Sequence, residues 1–120
     1  MGLRLLHLNL HGLIRSHDLE LGRDSDTGGQ TLYVLELVKG LAARPEVEKV
    51  ELITRLINDR RVSSDYSNPV EKISSCAEII RLPFGPKRYV RKELLWPYLD
   101  DLADRIVERL QKENKLNSFR

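Results

Sequence analysis

Cysteine is nearly absent from this sequence, which contains only Cys76 among its 120 residues. A single thiol cannot form a disulfide within the chain and offers no Cys-x-x-Cys pair, so we interpret Cys76 as an inert, packed or half-exposed side chain. The sequence also lacks an apolar run of the roughly 18 residues that cross a bilayer, and its N-terminus lacks the pattern of a signal peptide. These absences predict a cytoplasmic protein that does not associate with a membrane.

An excess of charge of one sign is also missing. The 20 basic and 18 acidic residues are interspersed and give a formal net charge of +2. One local basic cluster occurs, comprising Arg81, Lys87, Arg88, Arg91 and Lys92. Because the basic residues form no stripe along the chain, we predict no nucleic-acid partner. Its length, with 41% hydrophobic and 32% charged residues, indicates at most one small soluble domain.

The glycine motifs of the common nucleotide-binding loops are missing as well. The sequence has no Gly-x-Gly-x-x-Gly dinucleotide fingerprint, and no Gly-Lys-Ser/Thr follows a glycine-rich loop. Nicotinamide and ATP chemistry are therefore disfavoured. We predict no tightly bound cofactor and no metal site.

Alternating strand and helix patterns are present instead. A nearly continuous apolar run from Leu3 to Leu10 is typical of a strand covered on both faces, and we predict that it is the central strand of a parallel sheet. The patterns together predict a three-layer α/β arrangement, with parallel strands near 4–10, 49–55 and 78–82 and helices near 28–43 and 97–113. The first helix is apolar around most of its circumference, which predicts that it is largely buried.

Polar residues interrupt these patterns at two places. His7 lies within the first strand, where a hydrogen-bonded core histidine is favoured over a ligand. Asn9 and His11 follow at the carboxyl end of that strand, where open α/β sheets place their ligands. Residues 56–77 lose all periodicity and accumulate Ser, Asp, Asn, Arg and Pro, so we predict a long surface loop or flap there.

Residues 23–33 carry the candidate site. Their sequence, Arg-Asp-Ser-Asp-Thr-Gly-Gly-Gln-Thr-Leu-Tyr, places two glycines directly before the apolar helix. With Thr27 as N-cap, Gly28 and Gly29 fall in the first turn, where an anion or a sugar hydroxyl can approach the unpaired backbone N–H groups. The same spacing fits a capping box, in which Gln30 only bonds back to the Thr27 amide. The pattern alone leaves these two interpretations evenly matched.

Two motifs together make the chain resemble the N-terminal portion of the sucrose-phosphate synthase family. The first joins His-Gly-Leu-Ile-Arg to Leu-Glu-Leu-Gly-Arg-Asp-Ser-Asp-Thr-Gly-Gly-Gln, and the second joins Arg-Leu-Pro-Phe-Gly-Pro to Lys-Glu-Leu-Leu-Trp-Pro-Tyr-Leu. The resemblance covers residues 4 to 116. It implies a partial Rossmann-like parallel sheet that begins the N-terminal, acceptor-side domain of a GT-B glycosyltransferase of family 4. The implied reaction is retaining transfer of glucose from UDP-glucose to fructose 6-phosphate, giving sucrose 6-phosphate.

The resemblance also implies substrate-binding residues. In the family, the positions of Gly28 and Gly29 lie against the diphosphate of the nucleotide sugar and the reacting hexoses. Gln30 would contact the acceptor, and Lys92 would bind the acceptor phosphate. Without the family, Lys92 would be interpreted as an ordinary exposed lysine. No catalytic residue is implied within this chain, and UDP-glucose and fructose 6-phosphate are the implied partners.

The sequence leaves the family pattern at Asn117–Arg120, where a proline and another strand are expected, and it stops before the donor-binding domain. We therefore expect residues 1–120 to be an incomplete domain, produced by truncation or frame shift and inactive alone. Two alternatives stay open. Sucrose synthase shares Asp-Thr-Gly-Gly-Gln but uses unphosphorylated fructose, and a chain of this length could be a non-catalytic α/β binding module. The Phe-Gly-Pro turn and the Lys-Glu-Leu-Leu-Trp-Pro block favour sucrose-phosphate synthase.

Overall fold

Strands and helices alternate along most of the chain. The computed structural model describes residues 2–10, 13–20 and 29–112, apart from the Lys92 side chain. The elements in chain order are β1 (Leu3–Leu8), α1 (Gly29–Ala42), β2 (Val47–Arg55), a first 3₁₀ helix (Ser64–Ser67), β3 (Val70–Ser74), β4 (Ala77–Leu82), a second 3₁₀ helix (Lys92–Tyr98) and α2 (Leu99–Lys112). The predicted α/β class is confirmed.

The four strands form one mostly parallel sheet in the order β1-β2-β4-β3. β1 pairs with β2 and β2 pairs with β4, both in parallel, with Leu5 opposite Val50 and Leu52 opposite Ile79. Alternate residues of β2 face opposite sides of the sheet. Val50 and Leu52 pack in one apolar cluster with α1, whereas Ile53 packs in another with α2. The helices therefore cover opposite faces, as the predicted three-layer arrangement requires.

The prediction that residues 56–77 form a long surface loop or flap is wrong for part of the segment. This segment contains the first 3₁₀ helix and β3, which pairs antiparallel with β4. β3 is only five residues long, and its residues alternate between exposed and half-buried. So short an edge strand carries little apolar signal, because only one of its faces packs on the core. Its partner β4 begins after a two-residue turn, so the two strands form a β-hairpin in which Glu71 pairs with Ile79.

The prediction that β1 is the central strand is also wrong for the described residues. Within them β1 pairs only with β2 and lies at one edge of the sheet. Both of its ends are exposed, at Leu3 and Leu8. An apolar run reports burial of the two faces of a strand, and it does not report whether each edge has a neighbour.

The two helices differ from their predictions in smaller ways. α1 buries one side through Thr31, Val34, Leu35 and Val38, but Tyr33 is 67% exposed, so the helix is not buried around its circumference. α2 begins at Leu99 and not at residue 97, because Pro97 lies inside the preceding 3₁₀ helix. The amphipathic pattern of α2 is confirmed, since Leu102 and Leu110 are buried and the intervening charged residues are mostly exposed.

Candidate functional site

A cleft of about 450 Å³ opens at the carboxyl end of β1. Three separate segments form its walls: the end of β1, the first turn of α1, and the second 3₁₀ helix with the start of α2. The lining residues are Leu8, Asn9, Leu10, Gln30, Glu93, Leu95, Trp96 and Leu99. Ligands of open α/β sheets bind beyond the carboxyl ends of the strands, and this cleft has that position.

The first turn of α1 brings one of the predicted site residues to the cleft. The helix begins at Gly29, and Gln30 lines the cleft. A Cβ atom added to Gly29 would meet no atom within 4 Å among the described residues, so the surrounding chain does not require a glycine there. Gly28 and Thr27 lie outside the described residues, as does His11. The choice between a capping box and a ligand site at this turn therefore stays a prediction.

Asn9 is the most unusual polar residue in the cleft wall. It is 4% exposed, and neither Oδ1 nor Nδ2 of its amide has a hydrogen-bond partner among the described residues. Its backbone N–H donates to the Ile53 carbonyl at 2.9 Å, which fixes the residue at the end of β1. A buried polar group without a partner costs about 1–3 kcal/mol. The donor and the acceptor of this amide are therefore unused among the described residues, in a residue of the cleft wall.

The second 3₁₀ helix supplies an apolar wall with a charged residue beside it. Trp96 is 71% exposed and lines the cleft together with Leu95 and Glu93. An aromatic ring beside a few polar groups is the usual composition of a small-molecule site. Sequence reasoning did not select Trp96 as a site residue, because its neighbours in the chain give no sign that its ring is exposed.

Lys92 is the first residue of the same 3₁₀ helix, and the adjacent Glu93 lines the cleft. The backbone thus places Lys92 next to a residue of the cleft wall. The preceding residues 86–91, which we call the basic turn, expose Lys87, Arg88 and Arg91 to solvent. The basic cluster predicted from the sequence is therefore exposed on the segment that leads into Lys92, except for Arg81, which is buried in β4.

A tight contact joins the two halves of the second sequence motif. Gly85 has a φ of +70°, a backbone conformation that side chains with a Cβ rarely adopt. A Cβ atom there would lie 3.1 Å from Cδ2 of the Tyr98 ring. The Phe-Gly-Pro turn and the Leu-Leu-Trp-Pro-Tyr block thus pack directly on each other, and this packing helps to fix the 3₁₀ helix that lines the cleft.

Other kinds of site receive no support from the described residues. Within them no group of three or more His, Cys, Asp or Glu side chains could hold a metal ion. No helix in that part of the chain is both long and apolar enough to cross a membrane. Cys76 is half-buried, as predicted.

Comparison with known proteins links the chain to one group of enzymes. No protein-family model matches it. Over 95% of its length, the chain is 44% identical to "Probable sucrose-phosphate synthase 2" of Arabidopsis thaliana. Over 91% of its length, it is 44% identical to "Sucrose-phosphate synthase" of Spinacia oleracea. The chain spans only 12% of the length of each of these relatives.

A solved structure gives the same result for the fold. The sucrose-phosphate synthase of Thermosynechococcus elongatus superimposes with a TM-score of 0.71 and 25% sequence identity. The match covers 92% of this chain and 25% of that protein. Sequence and fold therefore agree that this chain belongs with the sucrose-phosphate synthase family, as a segment of its N-terminal part.

Proposed function

We propose that this chain forms the acceptor-side wall of a sucrose-phosphate synthase. The reaction is transfer of glucose from UDP-glucose to fructose 6-phosphate, with retention at the anomeric carbon, giving sucrose 6-phosphate. The named activity of the relatives and the position of the cleft at the end of β1 support this proposal. UDP-glucose acts as the donor substrate, no resident cofactor takes part, and we place the enzyme in the cytoplasm.

One observation carries the proposal. Gln30 comes from the first turn of α1 and the Glu93–Trp96 stretch comes from a distant part of the sequence, yet they line one cleft. The two motifs that resemble the family therefore meet in space. Between them lies the Asn9 amide, whose two polar atoms have no partner among the described residues. A hexose would supply hydroxyl groups for that amide and a ring face for Trp96.

Charge distinguishes the two ends of this proposed site. The backbone N–H groups at the start of α1, at Gly28 and Gly29, stabilise the negative charge that develops as UDP leaves. Gln30 contacts the acceptor sugar. At the opposite rim, Lys92 and the basic turn attract the acceptor phosphate, because a lysine forms charge-assisted hydrogen bonds with phosphate oxygens.

The isolated chain is proposed to be inactive. Retaining transfer requires the donor and the acceptor to be held together in one closed cleft. We propose that the nucleotide of the donor binds to a second domain of the enzyme. The purified 120-residue chain should then release no UDP from UDP-glucose and fructose 6-phosphate above a heat-treated control. Release of UDP by the chain alone would contradict this.

The activity itself is tested in a full-length enzyme. We define the exchanged enzyme as spinach sucrose-phosphate synthase in which this chain replaces its matching segment. Formation of sucrose 6-phosphate by the exchanged enzyme, with a preference for fructose 6-phosphate over fructose, is the expected result. A folded exchanged enzyme that forms no product, or that prefers fructose, would contradict the proposed function.

Lys92→Ala tests the acceptor end of the site. We expect the KM for fructose 6-phosphate to rise by the equivalent of about 1.5–3 kcal/mol, the usual scale of a charge-assisted hydrogen bond. The KM for UDP-glucose should stay nearly unchanged, and the preference over fructose should fall. Lys39→Ala, at an exposed lysine on α1, is the matched control. Equal impairment with both acceptors would remove Lys92 from the phosphate end.

A further inference from the structure

Arg55 is a buried arginine that the proposed site does not use. It is the last residue of β2, and its side chain is fully buried. Its Nη1 donates to the carbonyls of Pro86 and Arg88, the latter at 3.0 Å. Its Nε and Nη2 have no hydrogen-bond partner among the described residues. The guanidinium is therefore held by two carbonyl groups of the basic turn.

The charge of Arg55 is not neutralised within the described part of the chain. No carboxylate there forms an ion pair with it, and burial lowers its pKa to about 10, with the positive charge of Arg88 acting in the same direction and Tyr89 opposing it. The group still carries a proton at neutral pH. A buried cation without a counter-ion is costly to fold around, and carbonyl dipoles compensate it only in part.

The segment after Arg55 continues the same set of contacts. The backbone N–H of Asn58 donates to the Lys87 carbonyl at 2.8 Å, and Asp59 accepts from the backbone N–H of Tyr89 at 3.0 Å. Hydrogen bonds from the Arg61 side chain lower the pKa of Asp59 well below its usual range, so it accepts as a carboxylate. Residues 55–59 thus form hydrogen bonds with the backbone carbonyls of residues 86, 87 and 88 and with the backbone N–H of residue 89.

These contacts determine where the rim of the cleft lies. The basic turn leads directly into Lys92, and the Glu93–Trp96 stretch after it lines the cleft. Residues 86–91 include no regular helix or strand, so their course depends on the bonds from residues 55–59. Because Arg55 is buried, it cannot touch a substrate itself. It can act through the turn that it holds and through a positive potential that solvent screens poorly.

We propose that Arg55 is a positioning residue for the acceptor phosphate, because it fixes the basic turn, which presents exposed cations and leads into Lys92. This inference rests on the proposed function, and it adds a residue outside the cleft that sets affinity for the phosphorylated acceptor. A purely structural role predicts a different result, because lost stability alone changes the amount of folded enzyme and leaves the KM values as they are.

The test uses Arg55→Met and Arg55→Lys in the exchanged enzyme, with Arg81→Lys as control. Arg81 is equally buried, lies on the adjacent strand β4, and bonds to no residue of the basic turn among those described. We expect Arg55→Met to raise the KM for fructose 6-phosphate about tenfold, the equivalent of one lost charge-assisted bond. The KM for UDP-glucose and for fructose should stay within about twofold, a change worth less than one such bond.

The variants separate the possible outcomes. Arg55→Lys keeps the charge but cannot bridge two carbonyls as a guanidinium does, so it should raise the fructose 6-phosphate KM less than Arg55→Met. It also provides the measurement if Arg55→Met does not fold. Arg81→Lys should lower the melting temperature without changing any KM. The inference is overturned if the Arg55 variants leave the fructose 6-phosphate KM unchanged, or raise all KM values equally. Absence of transfer in the unsubstituted exchanged enzyme would instead overturn the proposed function.

Discussion

Arg55 and Arg81 are the same residue type, equally buried, on neighbouring strands, yet their surroundings differ. Arg81 forms an ion pair with Glu71 at 2.7 Å and also donates to the carbonyls of Ile14 and Asn68. Glu71 in turn accepts from Ser16. We call Arg81, Glu71 and Ser16 the ion-pair network. Arg55 has only carbonyl partners among the described residues. One arginine is neutralised and joins three segments of the fold, whereas the other keeps its charge against the basic turn.

This difference teaches where to expect stability effects and where to expect kinetic ones. Breaking a neutralised buried pair leaves its partner charge stranded, which penalises the folded state directly. Replacing a buried cation that has no counter-ion removes the cost of burying its charge as well as its hydrogen bonds. The net change in unfolding free energy is therefore smaller. We therefore expect substitutions in the ion-pair network to change unfolding free energy, and substitutions around the basic turn to change acceptor kinetics.

The largest expected effect is that of Arg81→Met. The substitution leaves Glu71 partly buried without its counter-ion, so the unfolding free energy of the chain should fall by about 3–5 kcal/mol. Urea unfolding followed by circular dichroism measures it. The double variant Arg81→Met with Glu71→Leu is the control, because it removes both charges and should recover part of the loss. A loss below about 1 kcal/mol, the level of an exposed pair, would contradict the comparison.

The second-largest loss of stability is expected at Gly85, which packs against the 3₁₀ helix that lines the cleft. Gly85→Ala forces an alanine into a φ of +70° and against the Tyr98 ring, so it should destabilise the chain by about 1–3 kcal/mol. Gly85→Ala combined with Tyr98→Leu separates the two causes, since the second change removes the ring contact and leaves the backbone strain. Equal unfolding free energies for Gly85→Ala and the unsubstituted chain would show that the turn does not need glycine.

Acid should act on the ion-pair network through Glu71. Burial raises the pKa of Glu71, but hydrogen bonds from Ser16 and Arg81 outweigh burial and bring the pKa below its ordinary value of 4.5. A carboxyl whose folded pKa is lowered contributes stability above its unfolded pKa and loses it as the pH falls towards the folded pKa. Unfolding free energy should therefore decline below about pH 4.5, and this part of the decline should be absent in Glu71→Gln. Parallel pH profiles for the two chains would refute the assignment.

The sequence predicted the parts of the fold that periodicity reports. Strands β2 and β4 and both helices were placed near their observed bounds, because buried faces repeat at characteristic spacings. β3 was missed because its five residues are only exposed or half-buried and carry little apolar signal, although the strand with which it pairs follows directly in the same hairpin. The edge position of β1 was missed because apolar character describes faces, not neighbours.

The site was predictable to a similar degree. Of the residues selected from the family motifs, Gln30 lines the cleft, and Lys92 directly precedes Glu93, which also lines it. Asn9 was noted only as a residue at a strand end, since its missing partners depend on tertiary packing. Arg55 gave no sign at all, because a basic residue at the end of a strand is ordinarily a solvated one.

The smallest expected effect on stability is that of Gly29→Ala. This variant tests whether a change near the cleft can alter kinetics without altering stability. Gly29 and Gly40 both lie in α1, and a Cβ atom at either position meets no atom within 4 Å among the described residues. Gly40→Ala should stabilise the chain by about 0.5–1 kcal/mol through helix propensity and leave transfer unchanged. Gly29→Ala should likewise not destabilise the chain.

Gly29→Ala and Gly40→Ala should differ in their kcat values in the exchanged enzyme. If the diphosphate of the donor lies against the first turn of α1, the methyl group of Gly29→Ala displaces it from backbone N–H groups whose main contribution is to the departing charge. The kcat should then fall about tenfold, equivalent to about 1.4 kcal/mol of transition-state stabilisation, with a smaller change in the KM for UDP-glucose. Steady-state kinetics of both variants decide the question. Equal kcat values for Gly29→Ala and Gly40→Ala would show that the glycine begins the helix without binding the donor, as the capping-box interpretation holds.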